Sequence, residues 1–312
     1  MERYRITSKA EQDFLAQYDI GTYERPSVAV DMAVFSVLGM TGYEESVRNA
    51  ENYRKLPEKR LKLLLIKRAS YPYKDCWALP GGFCQKGENV SETAYRELKE
   101  ETNVESAYLK PIGIFGEEGR DPRGWIISNL YLALMDGEVC KLRAGSDAWE
   151  ARWFQVVFSE KEIKRDIQEN LAVIIKEYSL QLLCEDEDTE PIQIDAVIRE
   201  QKRFQNYHET VEYEIVKNTG FGFDHAKLIT CAILKLRDSV EEDGRIVFNL
   251  LPETFTLTQL QRVFEIILDR KLLVANFRRK MADYCIETEQ IVEGAGHRPA
   301  KLFKRNLETF YR

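Results

Sequence analysis

Three carboxylates, Glu97, Glu100 and Glu101, fall at i, i+3 and i+4 in a stretch patterned as a helix, so all three project from one face. Like charges at that spacing repel, and the arrangement costs stability unless a counter-ion is present. A divalent cation resolves the conflict, and hard Mg²⁺ takes oxygen ligands of this kind. Most acidic helix faces are simply solvated, but two features set this one apart. Arg96 precedes the first glutamate, and Glu88 lies eight residues before Arg96, where a loop folded back on the helix pairs the two. Gly81 and Gly82 stand upstream, and a glycine pair lets backbone approach a metal closely. A polar turn follows the glycines, and Ser91 is placed to cap the first helical turn with its hydroxyl.

From Gly82 to Val104 this stretch resembles the Nudix box, G-x5-E-x7-R-E-U-x-E-E-x-G-U, where U is a bulky aliphatic residue. Gly82, Glu88, Arg96, Glu97, Leu98, Glu100, Glu101 and Val104 fill their slots in register, and Asn103 stands where the family has glycine. That slot closes the helix, and asparagine is the next most tolerant residue of a left-handed conformation, so the chemistry is expected to survive. The resemblance implies a hydrolase, dependent on Mg²⁺ or Mn²⁺, acting on a nucleoside diphosphate linked to another moiety such as ADP-ribose. It places a cation on Glu97, Glu101 and a backbone carbonyl near Gly81. Glu100, or an acid from outside the box, takes the proton from water. Glu88 and Arg96 hold loop and helix in register.

These residues need a scaffold, and the chain supplies one. At 312 residues it has room for one large domain or two medium ones, and an apolar share of 44% supports packed cores. The net charge of −7 excludes a uniformly basic nucleic-acid binder but not a local basic patch. No run of eighteen apolar residues exists, so no membrane span is expected. Scattered cysteines without a CxxC pair, and an N-terminus without an apolar signal core, suggest a reducing cytoplasm.

Residues 1–26 read as a short helical arm with a linker. Strands are expected over Ser27–Leu38 and Leu61–Lys67, and residues 40–60 read as a surface insertion. Trp77–Pro80 leads into the box. Strands over Tyr108–Phe115 and Ile126–Met135 flank the polar loop Gly116–Trp125. Its Asp121-Pro122-Arg123 resembles the pattern in Nudix proteins that bind ADP-ribose, and Arg120 or Arg123 is a candidate for bidentate contact with a pyrophosphate. With Gly82 they form the expected substrate-binding set. Glu117, Glu118, Asp147 and Glu150 are candidate bases from outside the box, and the sequence does not choose among them. Ser159–Glu177 reads as a helix, followed by strands over Tyr178–Cys184, Ile192–Ile198 and Val211–Val216. An amphipathic helix opens at Asp224-His225, where His225 reads as a packing residue, because no second ligand sits at metal spacing.

The C-terminal segment changes character. Thr256 and Gln259 make a capping box for a helix over Leu257–Leu268, and a short helix around Ala275–Ala282 carries Asn276, Arg278, Arg279 and Lys280. Two strands then flank a glycine-rich tip bearing His297 and Arg298. Helix, turn, basic helix and hairpin resemble a winged helix-turn-helix, and these six polar and basic residues are the expected DNA contacts. From Ile266 to Arg312, ten Lys and Arg face six Asp and Glu, so the segment carries +4 and the remainder −11. An acidic body with a basic end suits a chain of which one part meets DNA phosphates.

The whole order resembles the Nudix-related transcriptional regulators of NAD and pentose metabolism, which implies a sensor of ADP-ribose or a sugar phosphate, double-stranded DNA as a partner, and a homodimer. The expected fold is α+β: a Nudix α/β/α sandwich on a mixed sheet, then a winged helix-turn-helix. The expected divisions are an arm (1–26), a Nudix domain (27–160), connecting helices and strands (161–240) and a winged-helix domain (241–312).

Overall fold

The computed structural model describes residues 8–39, 59–104, 107–137, 148–185, 190–292 and 300–310. Of the insertion expected over 40–60, Lys59 and Arg60 begin a strand instead, and residues 40–58, Asp147 and the hairpin tip with His297 and Arg298 lie outside the described residues.

A helix, α1 (Lys9–Gln17), precedes the first strand and buries none of its residues. The strands β1 (Ser27–Gly39), β2 (Lys59–Arg68), β5 (Tyr108–Phe115), β6 (Ile126–Leu134), β7 (Ala148–Gln168), β8 (Leu171–Cys184), β9 (Ile192–Gln205) and β10 (His208–Asn218) form one sheet in the order β10-β9-β8-β7-β2-β1-β6-β5. Two short strands, β3 (Trp77–Ala78) and β4 (Gly81–Phe83), join β2 and β1 respectively. Pairing of β1 with β6 is parallel and every other strand pair is antiparallel, so the sheet is mixed.

β1 explains how the sheet becomes the middle layer. Its two faces are both apolar, as expected of a strand covered on both sides. Val30, Met32 and Val34 pack with Ala94 and Leu98 of α2 (Val90–Thr102), and Ala33, Phe35 and Val37 pack on the opposite side with α3 (His225–Glu242). The apolar stripe of α3 runs from Leu228 through Leu236 to Val240. Its core continues without a break into Phe248, Phe255, Leu260, Val263, Phe264 and Ile267.

Those last residues belong to the winged helix. It comprises α4 (Leu257–Leu268), α5 (Val274–Met281) and a three-stranded sheet of β11 (Thr254–Phe255), β13 (Ala300–Arg305) and β12 (Cys285–Val292) in that order, closed by α6 (Leu307–Phe310). The capping box expected at Thr256 and Gln259 is present, with bonds of 3.1 and 2.8 Å.

Two expectations are corrected. Ser159–Glu177 is a hairpin instead of a helix: β7 and β8 pair from Gln155↔Leu183 to Gln168↔Leu171 across a turn at Glu169–Asn170. The β-branched run Val173-Ile174-Ile175 favours a strand, and cross-strand ion pairs such as Lys176–Glu160 (2.6 Å) support the pairing. The cap of α2 is Asn89 and not Ser91. The Asn89 side chain accepts from the Glu92 amide at 2.9 Å, the Glu92 carboxylate accepts from the Asn89 amide, and Ser91 Oγ instead meets the Tyr131 hydroxyl at 3.1 Å.

Candidate functional site

The box forms a strand, a turn and a helix folded back on each other. β4 pairs with β1 so that Gly81 and Gly82 oppose Asp31 and Val30. A Cβ on Gly81 would lie 2.2 Å from the Val30 carbonyl oxygen, and one on Gly82 would lie 2.3 Å from the Glu97 carboxylate carbon. Only glycine allows these two approaches, of Gly81 to β1 and of Gly82 to α2. Glu97 and Glu101, one turn apart, both face this strand: Glu97 packs on Gly82, and the Gly81 amide donates to Glu101 Oε2 at 2.7 Å. Asn103 closes α2 with φ of 59°, in the left-handed conformation its slot requires.

Arg96 ties the loop to the helix, as the spacing requires. Its guanidinium donates to both oxygens of Glu88 (2.7 and 3.0 Å), to Glu97 Oε1 (2.6 Å), to Glu100 Oε2 (3.1 Å) and to the Phe83 carbonyl (3.1 Å). Hydrogen bonds from Arg96 hold the Glu88 carboxyl at about 2, far below the usual carboxylate range. Burial pushes Glu97 the other way, above its ordinary value, despite Arg96. Additional positive charge beside Glu97 would favour its ionised form. Glu100 points outward, with its side chain 57% exposed.

Among the described residues, no three His, Cys, Asp or Glu side chains converge on one point. The donors nonetheless fit a hard divalent cation in kind. Such an ion is commonly held by one or two carboxylates and completes its shell with water and substrate phosphate oxygens. Glu97 and Glu101, beside backbone that no Cβ obstructs, offer such a pair.

The loop after β5 divides its two arginines. Arg123 meets Asp121 with bonds of 2.7 to 3.3 Å and lies over the Phe83 ring at 4.9 Å, beside the box. Burial raises the Asp121 carboxyl, but the Arg123 hydrogen bonds outweigh it and hold the group below its ordinary value. Arg120 instead turns into the body. Its side chain, 6% exposed, donates to both oxygens of Asp224 (2.9 and 3.1 Å) and lies 3.7 Å from Asp31. Lys227 completes this cluster, 3.3 Å from Asp224 and 3.1 Å from Glu117. Glu150 is engaged by Arg152.

Sequence reading gave Asp31, Asp224 and Arg68 no role in the site, and Asp224 only the start of a helix: Arg120, which Asp224 meets, and Phe223, which Arg68 meets, stand far away in the chain. His225 does pack, and in a defined tautomer. Its Nδ1 accepts from the Leu79 amide at 2.9 Å, which leaves the proton on Nε2, 3.4 Å from Asp31. Burial holds the imidazole below its ordinary 6.5. A histidine so shifted takes up a proton on unfolding, so its contribution to stability is complete above pH 6.5 and is lost as the pH falls toward the folded-state value. We expect Tm to fall between about pH 7 and about pH 5 in the wild type, and this slope to flatten in His225→Asn. Scanning calorimetry across that range decides it; equal slopes count against the assignment.

At the other end of the chain, Phe277 and Met281 anchor α5 in the core, while Asn276, Arg278, Arg279 and Lys280 are exposed on its outer face. No helix among the described residues is long and apolar enough to cross a membrane.

Comparison with known proteins agrees with both parts. Residues 55–173 match the NUDIX domain and residues 247–304 the NrtR DNA-binding winged helix domain. The chain is 29% identical to the ADPR responsive transcriptional repressor NtrR of Acinetobacter baylyi, over 98% of this chain and 92% of that protein. It is 42% identical to the ADP-ribose pyrophosphatase of Methanocaldococcus jannaschii, over 35% of this chain and 67% of that one. A solved MutT/nudix family protein from Enterococcus faecalis superposes with a TM-score of 0.64 at 26% identity, covering 97% of this chain and 95% of that one. The chain thus belongs to the Nudix family, with its Nudix domain joined to a winged helix of the NrtR type.

Proposed function

We propose that the chain is a Nudix hydrolase that cleaves a nucleoside diphosphate linked to a second moiety, with ADP-ribose as the preferred substrate. The observation that carries this reading is the seating of Glu97 and Glu101 side by side against the Gly81–Gly82 strand, with every charged position of the box retained. Glu97, Glu101 and the Gly81 carbonyl would hold Mg²⁺ or Mn²⁺. Such a cation neutralises diphosphate charge and lowers the pKa of water. Glu100, open to solvent on the same helix, accepts the proton of the attacking water. Arg96 and Glu88 keep the helix and its loop in place, as a supporting shell. Gly82 leaves room for the Glu97 carboxylate beside the substrate, and Arg123 reaches the diphosphate from the side.

The test is Mg²⁺-dependent release of AMP from ADP-ribose by the full chain. No turnover of any nucleotide sugar in a panel removes the catalytic reading.

A second reading has its own observation: the exposed basic face of α5 on a winged helix that shares its core with α3. On this reading the chain is an ADP-ribose- or sugar-phosphate-responsive DNA-binding regulator, working as a homodimer in the cytoplasm. Asn276, Arg278, Arg279, Lys280, His297 and Arg298 meet DNA, and hydrolysis resets the sensor. The ligand must bind one arrangement of the chain better than another to change DNA affinity. Double-stranded operator DNA from the gene's own promoter is expected to bind in a salt-sensitive way. Removing two phosphate contacts in Arg278→Ala/Arg279→Ala should weaken binding and reduce the slope of log K against log salt by roughly two. Equal slopes would show that α5 is not the helix that meets DNA.

A further inference from the structure

Arg68 and Arg123 come together on one aromatic ring. The Arg68 guanidinium carbon lies 4.8 Å from the centre of the Phe223 ring, and that of Arg123 lies 5.2 Å from it. The residues arrive from three directions: Arg68 ends β2, Arg123 follows the Asp-Pro turn, and Phe223 stands two residues before α3. Phe83, the last residue of β4, stacks on Arg123 and brings the pair up against the box.

Two guanidiniums on one ring repel each other. Asp121 answers the charge of Arg123. Arg68 has only a neutral acceptor, the Pro72 carbonyl at 2.8 Å, and no carboxylate within ion-pair distance among the described residues. Burial, and then the charge of Arg123, hold Arg68 below the ordinary arginine value, while Glu101 and Asp121 act in the opposite sense from farther off. One positive charge beside the box is left without a direct counter-charge, and an anion would satisfy it.

We propose that Arg68 is the second arginine of the ligand site, pairing with Arg123 on Phe223 to seat the diphosphate of the nucleotide. This rests on the nucleotide reading above. A guanidinium fork presents parallel N–H donors that match phosphate oxygens, and two forks on a common ring embrace a diphosphate from adjoining sides. Arg120, committed to Asp224, is not needed for this. The floor of the seat is itself fixed: Phe223 holds a φ of 53° and packs, tilted, against Tyr73 (4.7 Å) and His225 (5.3 Å). Ligand on the two arginines therefore presses on the residues that open α3, the helix whose core the winged helix shares.

Calorimetric titration of the full chain in EDTA, where hydrolysis does not run, tests the seat. Wild type, Arg68→Gln and Arg68→Lys are titrated with ADP-ribose, with inorganic pyrophosphate and with ribose 5-phosphate. Arg68→Gln is expected to weaken ADP-ribose and pyrophosphate roughly ten- to a hundred-fold, the worth of one charge-assisted contact, with partial recovery in Arg68→Lys. A larger loss for ribose 5-phosphate than for pyrophosphate would assign Arg68 to a terminal phosphate and overturn the diphosphate seat. Wild-type affinity in Arg68→Gln overturns the inference and leaves the nucleotide reading standing. So does a weakening that Arg68→Lys does not relieve, accompanied by a lowered Tm without ligand, because that marks a structural role. A wild-type chain that binds neither ADP-ribose nor pyrophosphate in EDTA but releases AMP with Mg²⁺ overturns the arginine seat alone, because the cation then carries the diphosphate; one that does neither removes the nucleotide reading as well.

Discussion

Glu101→Gln is expected to lower Mg²⁺-dependent release of AMP from ADP-ribose by about a thousandfold or more, the equivalent of several kcal/mol of lost charge stabilisation. The substitution is nearly isosteric. Its amide oxygen still accepts the 2.7 Å bond from the Gly81 amide, so the loop and α2 stay in place and only the charge is lost. Tm should therefore remain close to that of the wild type, and DNA affinity without ligand should be unchanged. Measuring all three together separates a lost cation ligand from a damaged fold. Undiminished turnover would show that this carboxylate does not hold the ion.

The largest effect on stability is expected at Asp224. Its carboxylate accepts both bonds from Arg120 and lies beside Lys227, and both cations are nearly buried. In Asp224→Asn the two positive groups keep, among the described residues, only Asp31, at 3.7 Å, and the exposed Glu117 for neutralisation. Removing one partner of a buried pair typically costs about 3 kcal/mol or more, a loss of several degrees in Tm. Adding Arg120→Met should recover most of it, since the unpaired charge goes too. If Asp224→Asn alone melts with the wild type, the cluster contributes nothing to stability.

Much of the site was legible because its information is local. Glu88, Arg96, Glu97 and Glu101 lie within fourteen residues, and a helical repeat suffices to place Glu97 and Glu101 on one face. The winged helix was legible for the same reason: Thr256 and Gln259 state where α4 begins. What escaped depends on contacts that no short window contains. Arg120 reads as a loop arginine until Asp224, 104 residues on, claims it. Arg68 is the end of an ordinary strand until Phe223 arrives beneath it. The hairpin of β7 and β8 was missed because Glu, Lys and Ile at helical intervals also pair well across two strands, and a strand partner already formed at Tyr178–Cys184 decides between them.

The unbroken apolar interior from the central sheet through α3 to α4 has a consequence for anyone who divides the molecule. Cutting near Asp243 would leave Leu236 and Val240 without their neighbours on one fragment, and Phe248, Val263 and Phe264 without theirs on the other. Neither half should survive limited digestion as a soluble, cooperatively melting piece. The seam between the Nudix domain and the winged helix is made of the same apolar material as the two parts that it joins.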